Sequence, residues 1–454
     1  MNCKIGLEIH GYIKSEHKLF CDCEINPDAA PNTNICPVCT GQPGSKPKAT
    51  NKQALDNAMI IGLMLNCQIN SPLLFQRKHY SWPDSPNNYQ RTMSGSYAVP
   101  VGEHGEFEGI QITEVHLEED PAKWDPVTGQ VDYNRAGVSL IEIVTEPDFT
   151  SSEQVKDWLQ KLFTTLSYMK VIDKKSGIKC DVNVSIGPKF ERVEIKNVNS
   201  QTAIKEAIDF EIHRQTQEKA EQKDIPMQTR TWDDTKKETL FMRSKETAQD
   251  YMFIPDPDIP LIDISDEEIT ALKNQLVEPP SVKEEKLSQL GVSKDDAFVL
   301  SRQYALVDLF EQLHKDISLK ILITYIRREV VRIANYNKKD IDDLVFDVPQ
   351  LHKLLTYVQT KKITDTVAQK ILEKLLLESF DVDEYIKKEG LASVSDTGKL
   401  EEIAQKAIDA NPKAVEDYKS GNEKSINFLV GQVMRETRGA ASPDVVLEII
   451  RKLI

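Results

Sequence analysis

Ile110-Gln-Ile-Thr-Glu-Val115 alternates apolar and polar side chains, the period of a strand with one face on a core and the other turned away from it. Short β-branched runs of the same kind occupy 4–10, 107–115 and 137–144. Residues 179–185 read as a further strand with Cys180, Val182 and Val184 on one face, and 192–196 as another. Two helices interrupt this pattern. Ser151 or Ser152 caps the first, and Val155, Leu159, Leu162 and Leu166 follow at helical spacing. The second is long and polar, from about Gln201 to Gln222. Strands and helices in this order predict one large α+β unit built on an antiparallel sheet.

Asp256-Pro-Asp-Ile-Pro260 and Glu278-Pro-Pro-Ser281 break the pattern, so a boundary is expected near residue 280. Beyond it the sequence is almost wholly helical, with Ile363, Val367, Ile371 and Leu375 at four-residue intervals on one face. A polar stretch from Gly390 to Gly398 sets off a small C-terminal group of three short helices. Phe428, Leu429 and Val433 line one, Val446, Ile449, Ile450 and Leu453 line the last, and Ser442-Pro443 starts it. The expected domains are 1–280, 281–393 and 394–454.

The chain has 454 residues, with 57 Lys and Arg against 72 Asp and Glu, a net charge of −15. Almost all of the acidic surplus lies before residue 280. This excludes a polycation that binds nucleic acid by bulk charge, and it leaves open carboxylate clusters that hold a divalent metal. No window approaches the ~20 apolar residues that cross a bilayer, and the N-terminus has no signal-peptide core. The expected location is the cytoplasm, with no membrane association. Seven cysteines there stay reduced, so their spacing is read for metal.

Cys21-Asp-Cys23 and Cys36-Pro-Val-Cys39 form two close pairs separated by a loop of Asn, Pro and Asp that cannot bury a core. Soft thiolates in such pairs suit one tetrahedral zinc, and four protein ligands make the site closed and structural. Unmetallated thiols or a redox pair are the other readings. Cys3, Cys67 and Cys180 read as core thiols.

Glu8 and His10 stand two apart on a strand and share its polar face, while Leu7 and Ile9 share the other. His116-Leu-Glu118-Glu119-Asp120 and Leu140-Ile-Glu142-Ile-Val-Thr-Glu146 concentrate further acids, whose mutual repulsion calls for a cation. Oxygen ligands of this kind favour Mg²⁺ together with substrate phosphates, and a solvated acidic loop is the alternative. Arg77-Lys78-His79-Tyr80 beside Trp82-Pro-Asp84 has the cations and aromatics to clamp a phosphate or stack on a base; a charged turn is the alternative. With no P-loop and no G-x-G-x-x-G, ATP use requires a non-standard site, and no nucleophile is assigned.

Taken in order, the motifs resemble the B subunits of the tRNA-dependent amidotransferases. The resemblance runs nearly end to end, through Ile5-Gly-Leu-Glu-Ile-His10, Pro31-Asn-Thr-Asn34, Cys36-Pro-Val-Cys39, His116-Leu-Glu-Glu-Asp120, Asp132-Tyr-Asn-Arg-Ala-Gly137 and Leu140-Ile-Glu-Ile-Val144. It continues through Cys180-Asp-Val-Asn-Val-Ser185, Val193-Glu-Ile-Lys196, Met242-Arg-Ser-Lys245, Pro255-Asp-Pro-Asp258, Asn411-Pro-Lys-Ala-Val415 and Phe428-Leu-Val-Gly-Gln432.

This resemblance implies an N-terminal cradle domain on an antiparallel sheet, an all-helical domain and a helical YqeY-type tail. The implied reaction is the conversion of Asp-tRNA(Asn) or Glu-tRNA(Gln) to the amide. ATP phosphorylates the side-chain carboxylate, and ammonia channelled from the glutaminase subunit attacks it. Implied partners are that A subunit, a small C subunit and the mischarged tRNA; implied cofactors are ATP, Mg²⁺ and a structural Zn²⁺. Carried over by position, Glu8, His10, Glu119 and Glu142 line the Mg²⁺ site, with Glu118 sharing it. Lys78, His10 and Glu119 are the implied catalytic group, and Lys78 and Arg135 the implied nucleotide contacts. Asn134 and Arg135, with Asp181, Asn183, Glu194 and Lys196, are expected to face the same cavity. In the tail, Lys413, Lys419, Lys424, Arg435 and Arg438 are expected to meet tRNA phosphates.

Residues 81–93 depart from the usual family pattern toward the E subunit of the archaeal Glu-specific enzyme. That paralogue carries a large insertion for which 454 residues leave no room. The E-type subunit and a non-catalytic tRNA-binding scaffold are the alternatives to a catalytic B subunit.

Overall fold

The computed structural model describes the chain except residues 1–2, 174–176, 188, 190, 245–251, 392–396 and 438. Lys245, Arg438 and the expected boundary at 393/394 therefore lie outside the described residues. The chain divides into two compact units at Pro279–Pro280.

The first unit contains fourteen strands among its described residues. In chain order they are β1 (Cys3–Tyr12), β2 (Gln68–Ile69), β3 (Gln76–His79), β4 (Tyr89–Thr92), β5 (Gly102–Phe107), β6 (Ile110–Glu119), β7 (Lys123–Trp124), β8 (Val131–Asp132), β9 (Ser139–Thr145), β10 (Ile178–Ile186), β11 (Val193–Val198), β12 (Gln228–Asp233), β13 (Glu238–Ser244) and β14 (Met252–Pro255). Twelve form one sheet, ten of them in the order β13-β12-β11-β10-β1-β9-β6-β4-β3-β14, while β7 and β8 make a separate ribbon.

The expected antiparallel sheet is present with one exception, the parallel pair β11–β12. A parallel neighbour needs a crossover, and helix Gln201–Ala220 between these strands supplies it. The expected run 107–115 is in fact broken by a hairpin. Glu108 and Gly109 both take positive φ, and the chain reverses from β5 into β6.

The sheet cannot be flat. Ten strands at about 4.8 Å spacing would hold β13 and β14 ~43 Å apart. The chain between Ser244 and Met252 reaches ~29 Å at full extension. The sheet must therefore curl into a cradle, bringing its first and last strands toward each other.

One face of this sheet carries the core. Leu7, Ile9, Val115, Leu117, Ile141, Ile143, Cys180, Val182 and Val184 are buried on it. Helices Lys52–Met64, Ser152–Met169 and Gln201–Ala220 pack there, and helix Asp266–Lys273 adds Leu272. Ser151 caps the second as expected, its side chain accepting from the Gln154 amide, and Val155, Leu159, Leu162 and Leu166 are all buried. The third helix also buries Glu211, whose carboxylate accepts from Arg214 Nε (3.0 Å), Gln215 Nε2 (2.9 Å) and Thr239 Oγ1 (2.9 Å).

The second unit is helical throughout its described residues and holds two hydrophobic clusters, one over Leu287–Ile386 and one over Leu400–Ile450. Val367, Ile371 and Leu375 share the buried face of helix Asp365–Leu375, whereas Ile363 packs just ahead of its Thr364 cap. Thr364 Oγ1 donates to the Gly439 carbonyl (2.5 Å) and ties the two clusters together. No helix of the described residues is long and apolar enough to cross a membrane.

Candidate functional site

Antiparallel register places the polar residues of the central strands side by side. His10 on β1 pairs with Glu142 on β9, and Glu142 pairs with His116 on β6. Glu8 pairs with Asp181 on β10, and Thr92 on β4 with Glu118. All of these stand on the face away from the core. A bulge on β6 makes this possible. Two residues of β6 advance against one of β9 between Ile112 and Glu114, so Ile112 and Val115 both reach the core, leaving Glu114, His116 and Glu118 together on the polar face.

His10, Glu118 and Glu142 come together with one ligand atom each, all within 4.8 Å of one another. His10 Nε2 lies 3.8 Å from Glu142 Oε2. The set offers two hard oxygens and one imidazole nitrogen, and metal–oxygen distances of about 2.0–2.6 Å fit a single divalent ion among them with little closure. Glu118 is 6% exposed. Burial raises its pKa, and neighbouring Glu142 adds to the effect. Burial also opposes the charge of Glu142, but the His116 imidazole beside it and the fields of His10 and Lys78 outweigh it and hold the carboxyl down at about 2. His116 is raised to about 9, since the carboxylates of Glu114 and Glu142 overcome its burial. Lys78, half-buried on β3, thus contributes positive charge to the same group.

Glu8 belongs to the adjoining group. It accepts from Asn183 Nδ2 (3.2 Å) and clusters with Asp181 and Glu194. Lys196 pairs with both Asp181 (2.5 Å) and Glu194 (3.2 Å) and supplies that group with its own cation. Burial raises the Glu8 pKa, helped by Glu142 and Glu194, so the two groups sense each other.

The structure places two further residues of the expected grouping apart from this cluster. Glu119 does not join Glu118. Successive strand residues face opposite sides, and Glu119 turns to Arg91, accepting from its backbone N–H (3.0 Å) and pairing with its guanidinium (3.3 Å). Arg91 and Arg77 also share the fully buried carboxylate of Asp256, each at 3.1 Å. Arg135, expected at the nucleotide, is bound internally. Its guanidinium pairs with Asp120 (3.1 Å) and donates to the carbonyls of Pro121 (3.0 Å) and Ala122 (2.7 Å). His116 and Glu114 are additions to the expected site, although the alternation through Val115 and Leu117 marks them as polar-face residues once the strand is extended.

Cys21, Cys23, Cys36 and Cys39 converge with all sulfurs within 4.8 Å of one another. Cys39 Sγ is 4.0 Å from Cys23 Sγ and 3.9 Å from Cys36 Sγ. Zn–S bonds of about 2.3 Å would set tetrahedral sulfurs ~3.8 Å apart, so the four thiols fit zinc. The Cys36 amide donates to Cys39 Sγ (3.2 Å), and Lys18 Nζ approaches the same sulfur (3.4 Å). Lys18 is 1% exposed, and a buried ammonium demands an anionic partner. Thiolate is the partner available. The Cys39 pKa is brought down to about 4, mainly by the Cys21 thiol, with the Cys36 amide and Lys18 assisting.

The loop between the pairs is clamped by residues 131–134. Asn32 Nδ2 donates to the Val131 carbonyl (2.9 Å), Asn134 Nδ2 to Ala30 (2.8 Å), and the Asn34 amide to Asn134 Oδ1 (2.9 Å). Asn134 is therefore a structural clamp for this loop.

Comparison with known proteins matches both units. The family described as "GatB/GatE catalytic domain" covers residues 3–270, and the one described as "GatB domain" covers 308–454. The first unit is accordingly an amidotransferase-type catalytic cradle. Full-length relatives agree. A Methanococcus maripaludis protein is 40% identical over 100% of this chain and 99% of its own length. One from Methanopyrus kandleri is 41% identical over 99% and 98%, and one from Methanothermobacter thermautotrophicus is 41% identical over 99% and 100%. All three carry the name of the B subunit of aspartyl/glutamyl-tRNA(Asn/Gln) amidotransferase. The chain belongs to this family of B subunits, part of the ligase-type tRNA amidotransferases.

Proposed function

We propose that this chain is the catalytic B subunit of a glutamine-dependent amidotransferase acting on Asp-tRNA(Asn), Glu-tRNA(Gln) or both. The observation that carries the reading is the convergence of His10, Glu118 and Glu142 on the polar face of the cradle, within the field of Lys78. In this reading those three residues hold a divalent cation, Mg²⁺ in the working enzyme. A cation held there would supply positive charge to offset that of phosphate during phosphoryl transfer. Lys78 faces the same region and stabilises the phosphorylated side-chain carboxylate. The adjoining row of Glu8, Asp181, Asn183, Glu194 and Lys196 offers a polar path by which ammonia reaches that carboxylate. The four cysteines hold a structural zinc, and residues 394–454 form a separate module that meets tRNA through Lys413, Lys419, Lys424 and Arg435.

The partners in this reading are a glutaminase A subunit, which makes the ammonia, and a small C subunit. Co-expression with both, followed by ATP-dependent amidation of each mischarged tRNA, tests the assignment and defines which tRNA is served. His10→Ala and Glu118→Gln are expected to abolish amide formation while tRNA still binds. Full amidation by both variants would reduce the chain to a tRNA-binding scaffold.

A further inference from the structure

His116 is the most enclosed ionisable group on the polar face, 2% exposed, and the proposed reaction gives it no role. Its ring lies in line between two carboxylates. Nε2 hydrogen-bonds Glu114 Oε2, which fixes the ring plane. Nδ1 points at Glu142 Oε2 from 3.6 Å, just beyond hydrogen-bond length, and has no hydrogen-bond partner. A buried polar atom left short of a partner is costly, and here the one acceptor in front of it is a carboxylate of the candidate cation site. The same oxygen lies 3.8 Å from His10 Nε2 on its other side. Glu142 is thus held between two imidazoles borne by the strands flanking its own.

We infer that His116 is a positioning residue for the cation site: anchored by Glu114, it orients the Glu142 carboxylate toward the position that His10 and Glu118 also face. Ligating carboxylates depend on such outer partners, which restrict the carboxylate to the rotamer that presents an oxygen to the ion. His116 itself contacts neither substrate nor ion. The relay runs Glu114–His116–Glu142 across β6 and β9: the strand's period of two sets Glu114 and His116 on one face, and the register pairs His116 with Glu142.

This inference rests on the reading of His10, Glu118 and Glu142 as a cation site. Titration of the full-length, zinc-loaded chain with Mn²⁺, following the free-ion signal by electron paramagnetic resonance, tests both separately. Wild-type protein should bind one Mn²⁺ that His10→Ala loses; absence of that binding overturns the site and this inference with it. Given wild-type binding, His116→Leu should weaken Mn²⁺ affinity by roughly 10- to 100-fold. Glu114→Ala removes only the half-exposed anchor and keeps the test available should the leucine variant fail to fold. It should weaken Mn²⁺ in the same direction by a smaller factor. Wild-type affinity in either folded variant overturns the positioning role while leaving the site intact.

Discussion

Glu118 and Glu119 share a peptide bond and face opposite sides of one strand. The period of two sends Glu118 to the polar face with His10 and Glu142, and Glu119 to Arg91 beneath it. Glu118 is buried and Glu119 nearly so, and burial raises both pKa values, yet their surroundings differ: Glu142 adds to the shift at Glu118, while Arg91 opposes it at Glu119. Substitution should separate them. Glu118→Gln is expected to weaken divalent-cation binding tenfold or more with little change in thermal unfolding. Arg91→Met leaves Glu119 and Asp256 without a shared counter-charge, a loss worth about 3–5 kcal/mol, and should appear as a lower unfolding temperature of the cradle. A stable Arg91→Met protein would mean that Arg77 alone neutralises the pair.

Among the elements, the four-cysteine loop and the helix Gln201–Ala220 depend on partners far away in sequence. The loop has no core of its own and hangs from its thiols, from Lys18 and from residues 131–134. Metal analysis should find about one zinc per chain. Removing it with a chelator, or by Cys36→Ser, should expose this loop to protease and lower the melting temperature, because the binding energy of a structural zinc is folding energy. A metal-free chain that melts and resists protease like the untreated protein would remove the zinc assignment. In the helix, Glu211 neutralises Arg214 and lies 3.7 Å from Arg230 of β12. Glu211→Ala removes the buried acceptor of Gln215 and Thr239 and leaves Arg214 with Glu218 alone, and a loss of about 1–3 kcal/mol is expected in chemical denaturation of the cradle. An effect below ~1 kcal/mol would show that water replaces the carboxylate.

At the scale of the whole molecule, one sheet carries the site and a helical unit follows it. The net charge of −15 belongs mostly to the cradle, where carboxylates gather around the proposed cation and along the Lys196 row. The C-terminal cluster is tied to its neighbour through Thr364 and Gly439 and buries its own apolar residues, so truncation before it should leave the remaining core intact. Deleting 396–454 is expected to raise the tRNA concentration needed for half-maximal amidation severalfold, with glutaminase activity of the assembled enzyme unchanged. An unaltered tRNA requirement would deny the tail its phosphate contacts.

Local pattern carried much of this protein. The strand-like pattern in 110–115, which the bulge breaks between Ile112 and Glu114, the helical spacing from Val155 to Leu166 and the paired cysteines each report a property of a few consecutive residues, so the α+β cradle, the helical remainder and the thiol site were legible in the chain itself. The family resemblance supplied the candidate acids. Which acids meet was not legible, because it depends on register between strands up to about 175 residues apart. Strand pairing joined His10, Glu118 and Glu142, assigned Glu8 to the Lys196 row, and gave Glu119 and Arg135 to internal ion pairs. The register of β6 against β9 placed His116 behind Glu142. A bulge, a hairpin at Glu108-Gly109 and a curled sheet are fixed by tertiary contacts that no short window of sequence contains, and in this chain they determine which charges share a face.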